Sequence, residues 1–217
     1  MTRIETFFAA ACAFAVTMVV ISVGSVPTNP VELIQATKQI PAFVASFGVI
    51  AWVWYTHAVW SRRFGLEDAI TVVLSCSLIL LILIYMYPLR IMMQGVFSIV
   101  SGGYLPSLMN FDETWQVRFL FLLFGFGFLL MSLNLIALYK HGLSAKVRPA
   151  LSTHERYTAK SEIITWSATA IISLLSLLLS WLLPITQIAW AGYTYFLLFP
   201  VLFSIELVRF KGLKNLP

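Results

Sequence analysis

Charge is what this sequence has least of. Asp, Glu, Lys and Arg make up 11% of its 217 residues, against roughly a quarter in soluble domains, while 60% are hydrophobic. With a mean hydropathy of +0.90, the chain cannot cover itself with a water-facing surface and is read as an integral membrane protein. Cysteine is almost as scarce: Cys12 and Cys76 are the only two, both inside apolar runs. That excludes a disulfide framework or thiolate metal site, and both are expected to be small apolar core residues. His57, His141 and His154 are far apart, and no Gly-rich phosphate loop or paired-carboxylate motif occurs. No catalytic residues, cofactor or metal are therefore expected, and the chain is not read as an enzyme. No Asp or Glu sits near the middle of an apolar run, which counts against a proton-coupled transporter. The net charge of +5 does not point to nucleic acid, because the basic residues are scattered between apolar runs. They act instead as topology signals.

What is present is a succession of apolar runs, long enough for an all-α protein of about six transmembrane helices in a single domain over 1–217. Helix one is expected over 6–23, roughly 27 Å at 1.5 Å per residue, close to the hydrocarbon thickness. Arg3, an apolar core and a small-residue segment imitate a signal peptide, but Glu5 and the length of the core favour an uncleaved span. Pro27 and Pro30 interrupt the chain, and a short amphipathic piece follows over 31–39. Helix two is expected over 41–60 and helix three over 67–87, stopping before Pro88. The mixed stretch 89–115 reads as an interfacial loop. Helix four is expected over 115–139, with Gly125 and Gly127 as close-packing points and Arg118 snorkelling from its first turn. A polar segment over 140–162 precedes helices five (163–183) and six (187–208), which turn at Pro184. Ser101-Gly102-Gly103-Tyr104 has the look of a potassium filter but lacks a flanking pore helix and a second glycine, so it reads as a turn.

Six spans put Arg3, Arg62, Arg63, the five basic residues of 140–162 and the three near the C-terminus on one side. These are eleven of the fourteen Lys and Arg residues. Lys38, Arg90 and Arg118 fall on the other side. Both termini are accordingly expected in the cytoplasm, in a multi-pass protein of the cell membrane.

Helix one is the run on which the rest is organised. Phe14, Thr17, Met18 and Ile21 share one side by i, i+3, i+4, i+7 spacing, and Ala9, Ala10, Ala13 and Ala15 give a neighbouring small-residue face. Such a helix is suited to being surrounded by protein. Thr17 has an ordinary fate in the i−4 carbonyl of its own helix.

Arg-x-x-x-Phe at Arg3 and Phe7, the run Ala13-Phe14-Ala15-Val16-Thr17-Met18, and Trp-x-x-His at Trp54 and His57 resemble the transmembrane protein 175 family of lysosomal and prokaryotic potassium channels. Two departures stand out. The family's Ser-Asp after the Phe is Phe8-Ala9 here, and its usual Ile before the Thr is Phe14. The resemblance implies a pore lined by helix one of each subunit, through Phe14, Thr17, Met18 and Ile21, with the apolar rings gating by dewetting. It also implies a network of Arg3, Phe7, Trp54 and His57 that supports helix one. The permeant would be potassium, in a selective or weakly selective cation channel, and the assembly a homotetramer in membrane lipid. A non-conducting scaffold of the same fold and a small-solute transporter are the alternative functions.

Overall fold

The computed structural model describes residues 3–21, 27–107, 113–145 and 150–214, without the side chains of 19–21. Local chemistry sets the helix starts. In α1 (Arg3–Ile21) the acid Glu5 lies in the first turn. α2 (Pro30–Thr37) starts at Asn29, whose side chain accepts from the Glu32 N–H at 2.9 Å, with Pro30 in the first turn. α3 (Ile40–Phe64) ends at Gly65, whose φ of 57° is left-handed and suits glycine. α4 (Ala69–Val100) is capped by Asp68, which accepts from the Thr71 N–H at 3.0 Å. Hydrogen bonds from Thr71, and next the nearby His141, hold the Asp68 carboxyl below the usual range against some desolvation. α5 (Thr114–Ser144) and α6 (Thr153–Leu182) both open with capping boxes, at Glu113/Gln116 and Ser152/Glu155. A 3-10 turn, α7 (Ala189–Tyr193), a second 3-10 turn and α8 (Leu198–Lys214) complete the chain.

Among the described residues five segments are long and apolar enough to cross a membrane: α3, α4, α5, α6 and the run Ile185–Lys214. α1 adds a sixth of 19 residues, about 28 Å long. The protein is thus all-helical and multi-pass.

Three boundaries differ from the sequence expectation. Helix three does not stop at Tyr87, because α4 runs through Pro88 to Val100 and absorbs part of the expected loop. Proline removes one N–H and crowds the carbonyl four residues back, but membrane helices tolerate it where neighbours accommodate the freed group. Arg90 is consequently no surface topology charge: it is buried in α4 and donates to Gln39 Oε1 at 2.8 Å, which also accepts from Gln94 at 3.1 Å. The polar stretch 140–162 is largely helical, since α5 extends to Ser144 and the Ser152 cap starts α6 ten residues earlier than hydropathy suggests. The last span is broken into 3-10 and α pieces before α8. Ser101–Tyr104 forms a turn, with Gly102 and Gly103 at φ of 63° and 86°.

Packing runs from α1 onto α3 and α4, from α4 onto α5, from α5 onto α6 and from α6 onto α8. The glycines of α5 allow close approach: a Cβ at Gly127 would come within 2.5 Å of the Tyr85 ring, and one at Gly125 within 3.0 Å of Leu177. Trp60, fully buried, donates its indole N–H to the Leu138 carbonyl at 2.8 Å and ties α3 to α5. Cys12 is in this core, but Cys76 faces outward, contrary to the expectation of two core thiols.

The two ends of the bundle differ in charge as the basic-residue count requires. At one end Glu5 meets Arg62, Asp68 meets His141, and Arg209 meets Glu162. At the other, Lys38 lies over the Tyr104 ring at 4.4 Å, and Arg118 donates to the Trp181 and Leu183 carbonyls at the end of α6. Arg118 does more than snorkel: it caps a helix C-terminus. Lys146 and Arg148 lie outside the described residues.

Candidate pore-lining helix

α1 has two unlike faces. Glu5, Phe8, Cys12 and Ala15, spaced i, i+3, i+7, i+10, are all buried against the subunit's own α3 and α4. Arg3, Phe7, Ala10, Phe14 and Thr17, spaced i, i+4, i+7, i+11, i+14, are exposed on the opposite side. Of the four residues expected to line a pore, Phe14 and Thr17 therefore face away from the subunit. Met18 sits at the edge of this stripe, half-buried against the core. Ile21 ends the helix, and its side chain lies outside the described residues. The Thr17 hydroxyl donates to the Ala13 carbonyl at 2.9 Å. That bond uses the hydroxyl hydrogen and leaves the oxygen able to accept, or to face a cation.

The expected support network is brought together only in part. His57 is fully buried in α3, its Nε2 3.0 Å from Ser75 Oγ of α4. Its ring stacks on Phe8, centroids 3.7 Å apart and planes 7° from parallel. Phe7, expected in this network, is 59% exposed, whereas Phe8 is 1% exposed and occupies the inward place. Adjacent helical residues point about 100° apart, so one residue of register decides which phenylalanine is inside. Trp54, half-buried, lines an apolar groove further along α1 together with Cys12, Ala13 and Val16. Arg3 does not reach His57: its backbone N–H donates to Glu67 Oε1 at 3.1 Å while its side chain is exposed. The guanidinium that holds the foot of α1 belongs to Arg62, whose Nε is 3.0 Å from the buried Glu5.

Three residues of this arrangement, Glu5, Phe8 and Arg62, were not singled out as support by sequence reasoning. The signal was available in the stripe Glu5-Phe8-Cys12-Ala15. An acid at a buried position demands a cation, and the Arg62-Arg63 pair at the end of α3 lies within reach. Among the described residues no cluster of three or more His, Cys, Asp or Glu side chains could hold a metal.

Comparison with known proteins gives the same direction. Residues 3–88 match the family model described as endosomal/lysosomal potassium channel TMEM175. A protein of Marivirga tractuosa described as a potassium channel is 26% identical over 227 aligned residues, covering 99% of this chain and 90% of that one. A variant of the potassium channel MtTMEM175, crystallised with a nanobody–MBP fusion protein, superposes with a TM-score of 0.80 at 26% identity. That match covers 97% of this chain and 94% of the solved one. The chain thus carries the TMEM175 signature over residues 3–88 and the fold over nearly all its length, and the resemblance read from its first helix and from Trp54 and His57 stands.

Proposed function

We propose that this chain is the subunit of a potassium-permeable cation channel, with copies of α1 surrounding a central path. The observation that carries this reading is the outward stripe of α1. A helix turned wholly to lipid has no use for Arg3 and Thr17 on the same face as Phe7 and Phe14, whereas a symmetry axis gives each of them a place. Four helices, one from each copy, enclose a narrow path, so the assembly is a homotetramer. Each copy is one six-span domain over 1–217. Phe14 and Ile21 are the apolar rings of the constriction, Thr17 its polar ring, and Met18 flanks it. Phe14 stands where the family usually has Ile, and discrimination between potassium and sodium is weak.

The test is purified protein in potassium-loaded liposomes with a flux readout. Cation flux above that of empty liposomes is expected. Silence of the wild type and of every constriction variant would leave the non-conducting scaffold as the better reading, since Phe8-Ala9 stands where the family has Ser-Asp.

Orientation follows the charge at the two ends of the bundle. The end with Arg62, Arg63 and Arg209 is cytoplasmic, both termini with it, and the membrane is the cell membrane. Single cysteines at Lys38 and Lys146, in a background with Cys12 and Cys76 replaced by alanine, should react with impermeant maleimide from opposite sides. Labelling of both from one side would end the six-span orientation.

A further inference from the structure

Away from the α1 stripe, at the basic end of the bundle, α3, α5, α6 and α8 enclose a cavity of about 500 Å³. Two residues that line it each carry a buried polar atom with no hydrogen-bond partner, Arg63 at Nη1 and Thr165 at Oγ1. Thr165 is only 8% exposed. Buried polar groups left unpaired are costly, so such a pair marks a place where an oxygen-bearing group belongs.

The charges around the cavity narrow the chemistry. Arg209 donates to Glu162 and to Glu206, both at 2.8 Å, so one guanidinium is shared by two carboxylates. Arg63 supplies the remaining cation. The four charges cancel: Glu162 and Glu206 share Arg209, and Arg63 keeps a buried Nη1 with no hydrogen-bond partner. A simple anion would satisfy Arg63 but add negative charge to a cavity that already holds two carboxylates. A dipolar group satisfies both ends. The walls between are apolar, with Trp52, Val59, Phe210 and Leu213. Tyr55 at the rim is 61% exposed, and this end of the bundle is where Lys and Arg flank the spans, the level of lipid headgroups.

We propose that this cavity binds the phosphoethanolamine headgroup of a membrane phospholipid. Phosphate oxygens accept from Arg63 Nη1 and from the Thr165 hydroxyl. The ammonium donates to the carboxylates shared by Arg209, and the acyl chains leave past Phe210 and Leu213. The carboxylates select ethanolamine over choline, because a quaternary ammonium has no N–H to donate.

The test uses full-length protein, delipidated in detergent and offered phosphatidylethanolamine, phosphatidylcholine, phosphatidylglycerol or inorganic phosphate, with bound species read by native mass spectrometry. Phosphatidylethanolamine is expected at one per chain, surviving activation at which the other lipids dissociate. Arg63→Gln should lower its retention about tenfold, and the near-isosteric Thr165→Val should lower it less. Both variants should elute as wild type on size exclusion, which separates loss of the site from loss of the fold; Thr165→Val carries the test if Arg63→Gln aggregates. Equal retention of phosphatidylcholine, saturation by inorganic phosphate alone, no retained lipid at all, or undiminished retention in a folded variant would each overturn the proposal.

Discussion

Replacing Phe14 by alanine should raise cation flux through reconstituted protein by about tenfold and weaken its preference for potassium over sodium. The ring is 56% exposed on the subunit, on the same side of α1 as Thr17. In the proposed channel, with α1 of each copy around an axis, it would be the widest side chain of the constriction, and a ring of phenyl groups holds no water to carry an ion. Thr17→Val should act in the opposite direction. The two side chains match in shape, so packing is unchanged, but an ion crossing the proposed constriction would lose its hydroxyl contacts. Hydrogen bonds or ion contacts of about 1–2 kcal/mol correspond to roughly five- to thirtyfold in rate. Flux measured for wild type, Phe14→Ala and Thr17→Val in matched liposomes decides the matter. Changes in the same direction for both variants would remove these residues from the path.

The sequence announced much of this architecture because membrane helices advertise themselves by length and hydropathy, and because the Lys and Arg residues sort themselves by side. Arg62, Arg63 and Arg209 do gather at the end opposite Lys38 and Arg118. Pro88 misled because local rules treat proline as a stop, whereas in α4 its neighbours take up the strain. Arg90 misled for a related reason: once 89–100 is helical, the residue turns inward, and Gln39 from the start of α3 supplies the acceptor. No periodicity in a single stretch reveals a partner that lies 51 residues away. The candidate site was legible in its outward half, Phe14 and Thr17, because the helical period alone sets which residues share a face. Its inward half was less so. A motif written as Arg-x-x-x-Phe fixes the place of Phe7 along the helix but says nothing of which way that face turns. Only burial of Glu5 and Cys12 shows that Phe8 is the inner ring.

This rotation changes what should happen when the family's residues are put back. Phe8→Ala should destabilise the protein by about 3–5 kcal/mol, the usual range for emptying a buried aromatic site. The ring is 1% exposed and stacked on His57, a contact that itself contributes about 0.5–1.5 kcal/mol beyond burial. Phe7→Ala, one residue away, should change the stability of the isolated subunit by less than about 1 kcal/mol, because its ring is exposed there. Restoring Ser and Asp together at Phe8 and Ala9 should therefore lower the detergent melting temperature, whatever it does to conduction. A serine cannot fill the space of the ring against His57, and an aspartate at the half-buried Ala9 adds a charge beside the apolar Phe47 and Trp54. If the restored protein conducts more while it melts earlier, the phenylalanine is a substitution that favours a closed, well-packed helix one over an opening one. A restored protein as stable as wild type would mean that Phe8 does not hold α1 on α3, and the support assigned to the Phe8–His57 stack would fail.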